Sequence, residues 1–81
     1  MEGPGGEFRF SIARAQAARL AVFDPQGRRV RELLDEWAEP GTRAVRWDGR
    51  SDGGAAVASG VYYVCLEVGE TRVARAFVKV R

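Results

Sequence analysis

Histidine is absent from these 81 residues, and cysteine occurs once, as Cys65. The first absence removes the commonest general base and the commonest zinc ligand; the second rules out an internal disulfide. Lysine is nearly missing as well: arginine supplies every one of the 13 basic residues except Lys79. The 11 acidic residues hold the formal net charge at +2, too even a balance to mark a nucleic-acid surface. The arginine bias follows as readily from genome composition as from phosphate binding. No apolar run is long enough to cross a bilayer as a helix, so membrane insertion is not expected. No signal peptide is visible, because the opening MEGPGGEF has neither a basic start nor an apolar middle. The chain reads either as cytoplasmic or as a piece of a longer secreted protein. The Gly3-Pro4-Gly5-Gly6 entry looks like a linker or seam and favours the second.

What is present is a small single domain with apolar residues at 46%, normal for a folded core and too rich for disorder. Its core must be thin, since a chain of this size hides only about 60–65% of its unfolded surface. Residues 1–6 read as flexible linker and 7–81 as the domain. Over 7–13, Phe8, Phe10 and Ile12 alternate with Arg9, Ser11 and Ala13, the period of a half-buried strand. Over 18–24, Ala18, Leu20 and Val22 point inward and Arg19, Ala21 and Phe23 outward. Asp24-Pro25-Gln26-Gly27 is a turn: Asp starts it, Pro presets the backbone and Gly takes a positive φ.

The run 28–37 is ambiguous. Val30, Leu33, Leu34 and Trp37 have the i, i+3, i+4, i+7 spacing of an amphipathic helix. The hairpin-type turn before it and its short length favour a strand over 28–33, bulged so that Val30 and Leu33 both face inward. A helical turn over 34–39 remains an expectation. Pro40-Gly41 ends the segment. Over 42–47, Val45 and Trp47 form the inward pair. Residues 56–58 read as a minor edge segment. The longest strand is 61–68, with Tyr62, Val64, Leu66 and Val68 inward. Gly69-Glu70 is a hairpin turn. In the last strand, 72–80, the more apolar parity predicts Ala74, Ala76, Val78 and Val80 inward, with Arg75, Phe77 and Lys79 outward. The whole predicts an all-β, small Ig-like or fibronectin III-like antiparallel β-sandwich of six to seven strands, with a closed small barrel as the alternative.

Candidate sites are few. Asp48-Gly49-Arg50-Ser51-Asp52-Gly53 partly mimics a calcium loop, but Arg50 occupies a ligand position and no glutamate stands twelfth, so a backbone-capping role is the plainer reading. Cys65 lies on the outward parity without a base, which suits a thiol under a surface aromatic or an intermolecular disulfide better than a nucleophile. Arg28, Arg29 and Arg31 are followed by Glu32, Asp35, Glu36 and Glu39, the pattern of a self-neutralising solvated face. Phe23, Tyr63 and Phe77, all on outward parities, are either a partner patch or aromatics under loops.

Leu20-Ala21-Val22-Phe23-Asp24, Gly27-Arg28-Arg29-Val30-Arg31, Leu33, Gly41, Trp47-Asp48-Gly49-Arg50, Ser59-Gly60-Val61-Tyr62 and Leu66 together resemble the Ig-like domain of the flagellar hook-capping (FlgD-type) family. The form is also similar to C-terminal sorting domains read by the type IX secretion machinery. The resemblance implies a structural motif of Trp47, Asp48, Gly49, Ser59, Gly60, Tyr62 and Leu66, no catalytic residues, no cofactor and no metal. It implies a passenger domain in a longer precursor, delivery to the exterior or cell surface, and contact with secretion machinery through Arg75, Phe77, Lys79 and Arg81. In hook-capping relatives it implies instead a structural assembly subunit, packing through sheet edges and exposed aromatics. The last strand departs from the family pattern at Ala76, with the basic residue, Arg75, one step earlier.

Overall fold

The computed structural model describes residues 6–80. Six strands follow in order: β1 (Glu7–Ile12), β2 (Gln16–Phe23), β3 (Arg29–Ala38), β4 (Gly41–Arg46), β5 (Gly60–Val68) and β6 (Thr71–Lys79). They form two antiparallel sheets, β1-β4 and β3-β2-β5-β6. The sheets face each other as a sandwich; the strands do not close into a barrel.

The period-2 pattern places the core where alternation put it in the first, second and fifth strands. Phe8, Phe10 and Ile12 of β1 are buried against Ala18, Leu20 and Val22 of β2 and Tyr62, Val64 and Leu66 of β5. Trp47, just past β4, closes one end. Gly6, expected to be part of the linker, instead accepts the Trp47 N–H at 2.6 Å through its carbonyl. The rest of the expected linker, residues 1–5, lies outside the described residues.

Two expectations are overturned. The first is the helical turn over 34–39: β3 is strand throughout its 10 residues. Its register slips against β2 between Leu20 and Ala21 and between Val22 and Phe23, so Val30 and Leu33 are the unpaired bulge residues. Each bulge re-aims the strand, and Val30, Leu33 and Leu34 all pack against the core. The helix-like spacing is thus the signature of two bulges, and Trp37 ends up 64% exposed.

The second is the facing of β6. Val78 and Val80 are 61% and 75% exposed, while Phe77 turns inward onto Phe8 and Trp47. The turn decides this. With Gly69 and Glu70 alone in the turn, Val68 pairs with Thr71, Leu66 with Val73 and Tyr62 with Phe77. Cross-strand partners share a face, so the inward residues of β5 fix the odd residues of β6 inward.

Candidate functional site

The motif residues build one end of the sandwich from the loop that follows Trp47. Asp48 bends the chain by accepting the Arg50 N–H on Oδ1 at 3.0 Å, and Gly49 takes φ +78°, a left-handed value that suits glycine. Trp47 donates its indole N–H to the Arg50 carbonyl at 2.9 Å, so the ring is buried without an orphaned donor. Val57 returns to the turn by donating its N–H to the Gly49 carbonyl at 3.0 Å. Between them Arg50 and Ala56 form an isolated bridge, which is what remains of the minor edge segment expected over 56–58.

Beyond that loop the chain turns the corner at Ser59-Gly60 into β5. Tyr62 then donates its hydroxyl to the Ala58 carbonyl at 2.7 Å, four residues upstream. Its ring meets Trp47 edge-on, and the two rings share Phe77 as a common neighbour. Leu66 is buried further along β5.

The loop is also stitched to strand β3 by residues that no sequence spacing pointed to. Arg31 donates from Nη1 to Asp48 Oδ1 at 3.2 Å and to the Arg50 carbonyl at 3.3 Å. Asp52 donates its N–H to the Val30 carbonyl at 2.8 Å and accepts the Glu32 N–H on Oδ1 at 2.9 Å. Its Oδ2 pairs with Arg29 Nε at 3.2 Å. The two aspartates of the calcium-like segment are therefore engaged by arginines and backbone N–H groups. Among the described residues no group of three or more His, Cys, Asp or Glu side chains gathers as a metal would require. Arg28, Arg29 and Arg31 each meet a carboxylate, from Asp24, Glu32 or Asp52, and Asp48 respectively.

The four residues expected to meet a partner are divided. Phe77 is half-buried in the aromatic cluster, 5.3 Å from Phe8 between ring centroids. Lys79 reaches back across the end of the sandwich and donates to the Val57 carbonyl at 3.2 Å. Arg75 is exposed and has no carboxylate partner among the described residues. Arg81 lies outside the described residues. The three-aromatic patch is not assembled: Phe23 and Tyr63 are cross-strand neighbours on the outer face, and Phe77 faces the other way. Cys65 does point to the outer face, where it is buried beside Phe23 and beneath Arg72, whose Nε lies 3.2 Å from Sγ.

The sequence matches the family model of the FlgD Ig-like domain over residues 3–71. The chain belongs to the FlgD Ig-like domain family. This is a non-catalytic type of module, and in this chain the Trp47 indole and the Tyr62 hydroxyl each tie the connecting loop to one end of the sandwich. The matched range stops where β6 begins. No curated protein matches the chain. Among solved structures it is similar to PorZ, described as an essential bacterial surface component of the type IX secretion system of Porphyromonas gingivalis. The TM-score is 0.58 at 27% identity, covering 79% of this chain and 8% of PorZ. The similarity is thus to one small part of a much larger protein.

Proposed function

We propose that this FlgD-type domain is a non-enzymatic module of a larger secreted bacterial protein, serving its export or its retention at the cell surface. The observation that carries the reading is the similarity to a portion of PorZ, a surface component of a type IX secretion system. A folded sandwich suits that role, because recognition then needs only a folded surface. Strand β6 offers that surface: Arg75 and Val78 are exposed along it and Val80 just past its end, and Phe77 and Lys79 fix the strand from within. The partners are the passenger joined to the domain and a receptor of the secretion machinery.

The test is a reporter bearing a signal peptide, with this chain fused to its C-terminus, expressed in a bacterium that carries the type IX machinery. The fusion is expected on the cell surface or in the medium, with the bare reporter retained in the periplasm. An Arg75→Ala fusion is expected to export less. Retention of the wild-type fusion in the periplasm would overturn the reading.

A further inference from the structure

The four-stranded sheet has two edges, and the fold treats them differently. Strand β3 is bulged twice, and the loop after Trp47 is hydrogen-bonded along the half of its edge that holds Val30 and Glu32. Strand β6 pairs with β5 along its whole length of 9 residues without a register shift, and contains neither proline nor glycine. Bulges and coverage protect an edge; a long regular strand without them is a template for another.

Which backbone groups are free follows from alternation. In a two-residue hairpin the flanking pair, Val68 and Thr71, exchanges both N–H···O bonds, and bonded pairs recur at every second position. The N–H and C=O groups of Arg72, Ala74, Ala76 and Val78 therefore point away from β5. Carried across the sheet, the same alternation turns the odd residues of β2 toward β5. The Gly69 N–H on the Ala17 carbonyl at 3.0 Å agrees. The even residues of β2 then bond Leu34, Glu36 and Ala38 of β3. Asp35 and Trp37, beyond the covered half of β3, are left with outward groups.

The two free edges are complementary in charge. Strand β6 holds Arg72, Arg75 and Lys79 and no acid. The open half of β3 holds Asp35 and Glu36, the latter also paired with Arg43 of its own chain at 3.0 Å, followed by Glu39. They are also complementary in direction. Three antiparallel steps separate β3 from β6, so two copies in the same orientation bring the edges together antiparallel. We infer that the β6 edge of one copy adds to the open half of β3 in a second copy, continuing the sheet from molecule to molecule.

Of the registers that bring outward-facing groups together, one also matches the charges. Ala74 stands opposite Trp37 and Ala76 opposite Asp35, which brings outward-facing groups together on both strands. Arg75 then joins the Arg43–Glu36 pair on the inner face, and Arg72 meets Glu39 on the outer face. The methyl side chains of Ala74 and Ala76 leave room for the Trp37 indole, which is 64% exposed in the isolated chain. Pairing β6 with a second β6 about a two-fold axis would instead crowd cation on cation. The contact is heterologous, so it does not close on itself, and its short ladder makes it weak and concentration-dependent. It needs no secretion receptor and stands apart from the export reading.

Sedimentation velocity of the 81-residue chain from micromolar to millimolar concentration tests it. The sedimentation coefficient is expected to rise with concentration and to fall back with added salt. Ala76→Pro and Asp35→Pro each block one edge at a residue whose N–H faces outward, where an edge strand admits proline. Each variant alone is expected to stay monomeric with its circular dichroism intact. An equimolar mixture is expected to form a dimer and nothing larger, because one open edge of each kind remains. If either proline unfolds the chain, Arg75→Glu serves, weakening association several-fold, with recovery on mixing with Glu36→Lys. A wild-type chain that stays monomeric to millimolar concentration would overturn the inference. So would a single blocked variant that still dimerises, or a mixture that does not.

Discussion

Trp47 and Tyr62 meet edge to face, with ring centroids 5.8 Å apart and planes at 69°. One ring comes from just past β4 and the other from β5, so the contact ties the two-stranded sheet to the four-stranded one. Each ring also anchors a different part of the connecting loop, Trp47 at the Arg50 carbonyl and Tyr62 at the Ala58 carbonyl. The Trp-Asp-Gly and Ser-Gly-x-Tyr segments are thus two ends of one device that folds the loop back on the core.

That device sets the scale of the first prediction. Tyr62→Phe keeps the ring and removes one hydrogen bond, at a cost of about 1 kcal/mol. Trp47→Ala removes the ring that Tyr62 and Phe77 both pack on, at a cost of about 3–5 kcal/mol. The second is a large share of the total stability of any small domain, roughly 5–15 kcal/mol. Urea unfolding followed by far-UV circular dichroism should show Tyr62→Phe folded with a lower midpoint and Trp47→Ala largely unfolded in buffer. Equal midpoints for Tyr62→Phe and wild type would mean that the hydroxyl contributes nothing.

Gly49 makes a second, sharper case. Its φ is +78°, and a Cβ there would stand 2.8 Å from Cε of Lys79. The lysine end is flexible and moves aside, but in doing so it leaves the Val57 carbonyl. Gly49→Ala is therefore expected to cost roughly 1–2 kcal/mol from the left-handed backbone, plus the lost Lys79 contact. A Gly49→Ala, Lys79→Ala double mutant separates the two. If the backbone alone matters, the glycine substitution costs the same with or without Lys79.

Much of this fold can be read from period-2 alternation, because in β1, β2 and β5 the apolar parity is also the bulky one. Strand β6 misleads for a physical reason. Its even residues after Arg72, namely Ala74, Ala76 and Val78, are apolar but small, and its odd ones include two cations. Counting apolar residues then selects the wrong face. The two-residue turn at Gly69-Glu70 already held the answer, since it couples the facing of β6 to that of β5. Strand β3 misleads differently: two bulges within a few residues imitate a 3.6-residue period. The Trp47–Tyr62 pair was legible as the heart of the motif. The Arg31 and Asp52 stitches were not, since partners about twenty residues apart leave no periodic trace.

The Asp24 turn carries a pH dependence. Its carboxylate accepts the Arg28 N–H at 2.9 Å, the Gln26 N–H at 3.0 Å and the Arg28 guanidinium at 3.0 Å. The Arg28 N–H is the largest cause holding the carboxyl below its ordinary value of 3.8, with the guanidinium and the Gln26 N–H adding to it. A depressed folded value means that the stabilisation is fully present above the unfolded value and is lost as pH falls through the folded one. Thermal melts are expected to show Asp24→Asn less stable than wild type at pH 7. The two Tm values should converge below pH 3.8. Parallel curves down to strong acid would show that this turn carries no linkage.

The last prediction concerns the single thiol. Cys65 sits on the outer face of β5, opposite Ala21 and Ala74, and is only 8% exposed. Its neighbours on both sides are small, so the strands themselves do not hide it. The cover is Arg72, whose Nε lies 3.2 Å from Sγ and is held from the side by Glu67 at 3.7 Å, with Phe23 and Arg19 closing the rest of the hollow. An arginine stem shields apolar surface while its head stays in water, and thiol reactivity follows access as well as charge. Arg72→Ala is therefore expected to raise the rate of Cys65 labelling by a neutral maleimide several-fold while leaving the fold intact. Glu67→Ala should raise it less, by loosening the arginine without removing it. Labelling that proceeds at the wild-type rate in both variants would mean that the thiol is reached only when the sheet opens.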